Sequence, residues 1–192
     1  MVAIVSLLDD EHSDRMNQLI YGLEREFGLK EVQKTPFPHI TWLTVNDGSL
    51  PNLQRTLGHA AGICCRFRIT TNGLGIFPGE KPVLYIPILR TSKVNQFHRQ
   101  LHKAVCLISQ EISAYYHPEV WVPHLSLALG DTTPEIVSQA VLYLNRSNYH
   151  WKIELDNLTL LTKNGDLFLK NGEFPLVGVE TKDTIKLTTS GK

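Results

Sequence analysis

Cysteine is scarce in this 192-residue chain, and neither sign of charge is in excess: there are three cysteines, 19 basic residues and 19 acidic ones. Cys64 and Cys65 are adjacent and Cys106 stands alone. Neighbouring cysteines rarely bridge each other, and no CxxC spacing offers a zinc or redox motif. An odd cysteine count and the lack of a secretory leader predict a reduced, cytoplasmic protein. The zero formal net charge argues against a long nucleic-acid tract, because many phosphates need a basic face to neutralise them. It leaves room for one small phosphorylated ligand, or one RNA end in a local pocket. Long apolar runs are also missing. The opening stretch Val2–Leu8 stops at Asp9-Asp10-Glu11, whereas a membrane span needs about 20 apolar residues. A membrane partner is therefore not expected, and the opening stretch is predicted to be a buried strand.

What the chain does contain is a short pattern written twice, Pro38-His39-Ile40-Thr41 and Pro123-His124-Leu125-Ser126, each leading into an apolar run. Side chains alternate between the two faces of a strand, so His39 and Thr41 share one face and Ile40 and Trp42 the other. The same alternation sets His124 with Ser126, opposite Leu125 and Leu127. A polar histidine–hydroxyl face backed by an apolar one, made twice, can form two halves of one symmetric site. Two histidines can act as proton donor and proton acceptor without a metal.

The surroundings repeat as well. A strand near Val2, a helix capped by Asp10 or Ser13 and ending at Gly28, the first histidine strand (about 38–45), a helix from Pro51 to about Gly62 and a strand over 64–71 make the first half. A strand over 83–89, a helix capped by Ser92, the second histidine strand (about 123–129), a helix from Pro134 and a strand running from Trp151 to Leu161 make the second. Nearly the same interval separates His39 from His124 as Val2 from Val83. Asn46-Asp47-Gly48-Ser49 is a predicted loop. Lys163-Asn164-Gly165-Asp166 and Lys170-Asn171-Gly172-Glu173 read as turns of an added hairpin, and the last dozen polar residues as a loose tail. With 42% hydrophobic residues the chain can build one domain over 1–192. Its first lobe is about 1–75, its second about 80–162, and the hairpin and tail take 163–192. Two such halves can set their histidine strands side by side along a cleft, with helices outside.

The paired PHIT and PHLS segments resemble the H-x-[T/S] signature of the two-histidine (2H) phosphoesterase superfamily, and within it the 2′-5′ RNA ligase and cyclic phosphodiesterase group. Gly73-Leu74-Gly75-Ile76-Phe77-Pro78, leading into Lys81-Pro82-Val83-Leu84-Tyr85, is similar to the Gly-x-Phe-Pro stretch common in that group. The resemblance implies a bilobal α+β fold with two pseudo-symmetric antiparallel sheets lining a central groove. It also implies metal-independent chemistry on a phosphodiester with no cofactor. His39 and His124 would be the acid and base, and Thr41 and Ser126 the phosphate contacts. Members often carry a basic residue shortly after the second motif, where this chain has Ala128-Leu129-Gly130-Asp131. Cationic help would then come from Lys34, Lys81 or Arg90.

Each of these residues also has a plain structural role open to it. His39 and His124 can donate to a backbone carbonyl at a strand end, and Thr41 suits any strand. Phe37 shares parity with His39 and either borders the cleft or covers the core. Tyr115, Tyr116 and Trp121 precede the second histidine strand, where they can stack on a nucleobase or pack inward. Trp42 is expected in the core. His98 and His102 have metal-type spacing but no third ligand, so they are expected on a polar helix face. Cys64 and Cys65 are expected to be inert. The function expected from these residues together with the resemblance is a monomeric phosphodiesterase that opens a 2′,3′-cyclic phosphate on a nucleotide or RNA end, and the resemblance implies a 2′-phosphomonoester product. The alternatives are 2′-5′ RNA ligation, and a non-catalytic nucleotide-binding module of the same fold.

Overall fold

A computed structural model describes residues 1–46 and 49–178. The predicted turn at Asp47-Gly48 and the polar tail lie outside the described residues. The first half runs β1 (Val2–Leu7), α1 (Asp10–Phe27), a 3-10 turn (Glu31–Lys34), β2 (His39–Val45), α2 (Leu50–Ile63) and β3 (Phe67–Thr70). A short β4 (Gly75–Phe77) leads into the second half. That half comprises β5 (Val83–Pro87), α3 (Ser92–Cys106), a 3-10 turn (Ala114–Tyr116), β6 (His124–Ala128), α4 (Pro134–Leu144) and β7 (Lys152–Leu155). β8 (Asn157–Asn164) and β9 (Leu167–Pro175) follow. Among the described residues no helix is long and apolar enough to cross a membrane.

The fold is α+β, with antiparallel sheets in the orders β2-β1-β8-β9 and β4-β5-β6. The third strands of the two halves pair with each other: β3 lies antiparallel to β7, with Ile69 opposite Ile153. One apolar core, including Ile4, Leu43, Leu57, Ile86, Leu101 and Leu160, runs through both halves. Burying its largest side chains supplies roughly 1.5–3 kcal/mol each.

The caps of α1 and α3 lie before the predicted ones, which the structure places inside the helices. Asp9, not Asp10 or Ser13, accepts the His12 backbone N–H, and Thr91, not Ser92, accepts that of Val94. Gly28 ends α1 as expected, in the left-handed conformation with φ 74°, which glycine adopts without steric cost.

Two sequence expectations need correction. The strand drawn from Trp151 to Leu161 is two strands in different sheets. β7 alternates buried and exposed residues, whereas β8 begins with five consecutive buried ones, because both its faces are covered: Leu158 and Leu160 join the main core and Leu161 the small cluster of Ala3 and Val5. The Asn171-Gly172 segment is a bulge inside β9 rather than a turn. Leu161 pairs with Lys170 and Thr159 with Glu173, so Asn171 and Gly172 together face one residue of β8, and Gly172 has φ 142°. An Asn-Gly pair serves a bulge as well as a turn.

A bulge also sits at the same place in both histidine strands. On β1, Ile4 pairs with Leu43 but Val5 with Thr41, leaving Trp42 as the extra residue. On β5, Leu84 pairs with Ala128 but Tyr85 with Ser126, leaving Leu127 extra. In each strand the bulge follows the hydroxyl residue directly. It turns the next two residues, Trp42-Leu43 and Leu127-Ala128, both into the core. The histidine and hydroxyl side chains are thereby held on one face, and the chain beyond them is bent into the apolar interior.

Candidate active site

Each histidine opens its strand after a proline, which has no N–H to extend the ladder. The proline carbonyls are used alike: Pro38 accepts from Leu8 N–H at 3.2 Å and Pro123 from Ile88 N–H at 2.9 Å. The imidazoles are set by matching contacts. His39 Nδ1 lies 2.5 Å from the Phe37 carbonyl, and His124 Nδ1 lies 2.7 Å from the Val122 carbonyl. A carbonyl can only accept, so each Nδ1 carries the proton and each neutral ring keeps its lone pair on Nε2. No described group hydrogen-bonds to either Nε2. The structural role open to both histidines, a bond to a strand-end carbonyl, is therefore present, and it leaves the second nitrogen available.

Both rings open onto one cavity of about 690 Å³, together with Thr41, Ser126, Phe37, Tyr115, Tyr116 and Trp121. Burial pushes the pKa of His39 below its ordinary value, and the nearby His124 lowers it further, against the opposing effect of the Phe37 carbonyl. Burial lowers that of His124 too, with the Val122 carbonyl acting in the other direction. Tyr116 is pushed up by burial, partly offset by a hydrogen bond with Thr41. Phe37 takes both roles considered for it. It lines the cavity, and it packs on the small apolar cluster of Ala3, Val5 and Leu161.

Trp121 borders the cavity but is only 1% exposed. Its ring lies against that of His98, centroids 3.8 Å apart, and its Nε1–H donates to the Thr41 carbonyl at 3.2 Å. Trp42 is buried as expected, in contact with Phe97 and Trp121. His98 is not on a polar helix face. It is fully buried within the apolar stripe Val94, Phe97, His98, Leu101 and Val105 of α3, because its Nε2–H has the Trp42 carbonyl to bond at 3.0 Å. Among the described residues no group of three or more His, Cys, Asp or Glu side chains is placed to hold a metal ion.

Of the cations considered, Lys34 pairs with Glu31 at 2.6 Å. Arg90 donates to the carbonyls of Pro118 and Trp121 and to Asn95. Lys81 is exposed and absent from the cavity wall.

Sequence reasoning missed part of the wall. Phe77 meets His124 edge-on at 5.0 Å and stacks on Tyr85 at 4.2 Å, with Tyr85 itself 5.1 Å from His124. The signal was in the Gly-x-Phe-Pro stretch. A Cβ at Gly75 would overlap the Tyr85 ring, so the glycine lets β4 lie close enough to set Phe77 beside the histidine. Met16, Asn17, Ile20 and Tyr21 of α1 also line the cavity, a placement that helical periodicity does not reveal.

A model of the 2′-5′ RNA ligase superfamily matches residues 8–167. The chain belongs to this superfamily. The matched span holds both histidine motifs and every residue named above as lining the cavity. Comparison with curated proteins gave no match. Among solved structures, TT0787 of Thermus thermophilus superposes with a TM-score of 0.65 at 15% identity, over 93% of this chain and 99% of that one. E. coli LigT complexed with 3′-AMP superposes with a TM-score of 0.59 at 15% identity, over 91% and 97%. A structure described as a phosphoesterase gives 0.58 at the same identity and coverage as LigT. These likenesses establish the shared fold.

Proposed function

We propose that the protein is a metal-independent phosphodiesterase that opens a 2′,3′-cyclic phosphate to a 2′-phosphomonoester, with His39 and His124 as the proton carriers. The observation that carries this reading is the matched pair of imidazoles in one cavity, each with Nδ1–H held by a carbonyl and Nε2 turned to no protein partner among the described residues.

In the reaction, the neutral imidazole takes a proton from water on Nε2 as the water oxygen bonds to phosphorus. The bond from phosphorus to the ribose 3′-oxygen breaks, and the protonated imidazole gives that oxygen its Nε2 proton. The two rings exchange protonation states, and solvent resets them. General acid–base help of this kind contributes roughly 10²–10⁴-fold. The Thr41 and Ser126 hydroxyls would donate to the non-bridging oxygens, where charge gathers in the transition state. Phe37, Tyr115 and Tyr116 would flank the base, with the buried Trp121 as a further part of the wall. LigT, of the same fold, was crystallised with a nucleotide, which supports a nucleotide in this cavity.

The test is hydrolysis of 2′,3′-cyclic nucleotides in excess chelator, wild type beside His39→Ala and His124→Ala. Chelator-resistant turnover falling by roughly 10²-fold or more in each folded variant supports the reading. Near wild-type rates in either variant refute it. Binding without turnover by wild type would make the protein a nucleotide-binding module.

A further inference from the structure

Among the described residues, no Lys, Arg, Asp or Glu side chain lines the cavity. Its groups that titrate below the phenol range are His39 and His124 alone. Resting on the reading above, we propose that the site takes a singly charged cyclic phosphodiester on a small body without further phosphates, and works against RNA ends.

Charge is the first reason. A strand of RNA adds one negative charge per nucleotide, and proteins that hold it do so by neutralising those phosphates with Lys and Arg. Here two of the three cations the sequence places near the motifs serve the fold instead, and the third, Lys81, is exposed and outside the cavity wall. Lys34 is held by Glu31, and Arg90 fixes the loop ahead of β6 through the Pro118 and Trp121 carbonyls. The described wall therefore offers an anion at most one positive charge, a single proton between two imidazoles lining one cavity, where the charge of one opposes protonation of the other. That matches a cyclic diester, which carries one negative charge.

Among the described residues, the most exposed part of the wall is uncharged too. Tyr115 is 84% exposed, Val120 61% and Tyr21 57%, and all three belong to the cavity wall. A nucleotide attached on the far side of the cyclic phosphate would have to lay its own phosphate against these uncharged side chains. An uncharged ribose and base can instead cover them, at a gain of roughly 25 cal/mol per Å² of apolar surface. The product has a second negative charge that the site does not match, so it leaves readily.

The experiment compares kcat/KM for 2′,3′-cyclic AMP with that for a short oligoribonucleotide ending in the same cyclic phosphate, from low to high salt. His39→Ala and His124→Ala serve as controls. Expected is a mononucleotide preference of at least about tenfold, the equivalent of one 1.4 kcal/mol step, with little salt dependence. Val120→Lys should raise kcat/KM for the oligomer several-fold at low salt and make it salt-sensitive. An oligomer used as well as or better than the mononucleotide by wild type, with a steep salt slope of roughly −0.7 per phosphate contacted, overturns the inference. If both histidine variants are then inactive, the two-histidine reading stands and only the inference falls. Turnover of neither substrate, or turnover surviving in the histidine variants, overturns the reading and the inference together.

Discussion

The Trp121 indole N–H donates to the Thr41 carbonyl at 3.2 Å, so a residue three positions before one histidine holds the strand of the other. Its ring partner His98 donates Nε2–H to the next carbonyl, that of Trp42. Both carbonyls lie at the β2 bulge, where a ladder bond is missing and a buried acceptor left unpaired costs about 1–3 kcal/mol. Side chains of the second half thus satisfy the bulge of the first and set the spacing between the two histidines. Trp121→Phe keeps the ring and removes the donor. It is expected to cost about 1–3 kcal/mol of stability and to lower kcat with little change in KM. His98→Leu should act likewise, and His98→Gln, whose amide can still donate to Trp42, should recover much of the loss. Denaturant midpoints and a kcat/KM split on the three variants check this, and equal activity in His98→Leu and His98→Gln would contradict a positioning role.

The same histidine makes stability depend on pH. Burial lowers the pKa of His98 from 6.5 to about 4, with charges on His102, Arg90 and His117 adding to the effect and the Trp42 carbonyl opposing it. A second proton would sit on Nδ1, which is buried without a partner. The unfolded chain binds a proton near pH 6.5 and the folded one only near 4. The contribution is therefore complete above pH 6.5 and fades as pH falls towards 4. Its full size is on the order of 3 kcal/mol. His39 and His124 shift the same way, so the wild-type midpoint should drop over this window. His98→Gln should drop less, by roughly the amount assigned to His98. Equal slopes for the two proteins would show that His98 titrates normally.

Catalysis in the proposed mechanism needs one neutral and one protonated imidazole. With both pKa values below the ordinary 6.5, the product of the two required fractions peaks below pH 6.5. A bell-shaped kcat/KM profile for a cyclic nucleotide should therefore have its maximum on the acidic side of about 6.5, with activity falling from about pH 6.5 to 8. A maximum above about pH 7 would mean that neither burial nor repulsion governs the pair.

Much of this site was legible because strand parity is a local rule. His39 with Thr41 and His124 with Ser126 follow from a period of two, and the prolines mark where each strand starts. The bulges were hinted at by Trp42-Leu43 and Leu127-Ala128, consecutive apolar residues that a simple alternation would expose. His98 reads as polar from its residue type, and its position says otherwise. Its place in the i, i+3, i+4, i+7 stripe of α3 was correct for the core, but the carbonyl that makes burial tolerable comes from a strand 56 residues away in sequence. The separation of β7 from β8 and the α1 wall of the cavity depend on which elements meet, which periodicity does not encode.

Asp131 occupies the stretch where the resemblance led one to expect a cation, and it ties the halves together. Its Oδ2 accepts the backbone N–H groups of Lys30 at 2.7 Å and Glu31 at 2.9 Å. These open the segment that supplies Val32, Gln33, Thr35 and Phe37 to the cavity. Hydrogen bonds to a charged acceptor contribute about 1.5–3 kcal/mol each, and Asp131→Ala removes both. The segment should loosen, raising KM for a cyclic nucleotide several-fold while kcat, which in the proposed mechanism depends on the carbonyl-held histidines, changes less. Asp131→Asn keeps a carbonyl oxygen that can accept both N–H groups, so it should lie between Ala and wild type. Hydrogen exchange at residues 30–37 gives the independent readout: faster exchange in Asp131→Ala than in Asp131→Asn, and slowest in wild type. Unchanged exchange in Asp131→Ala would show that the segment is held by its own packing, and any effect on KM would then need another cause.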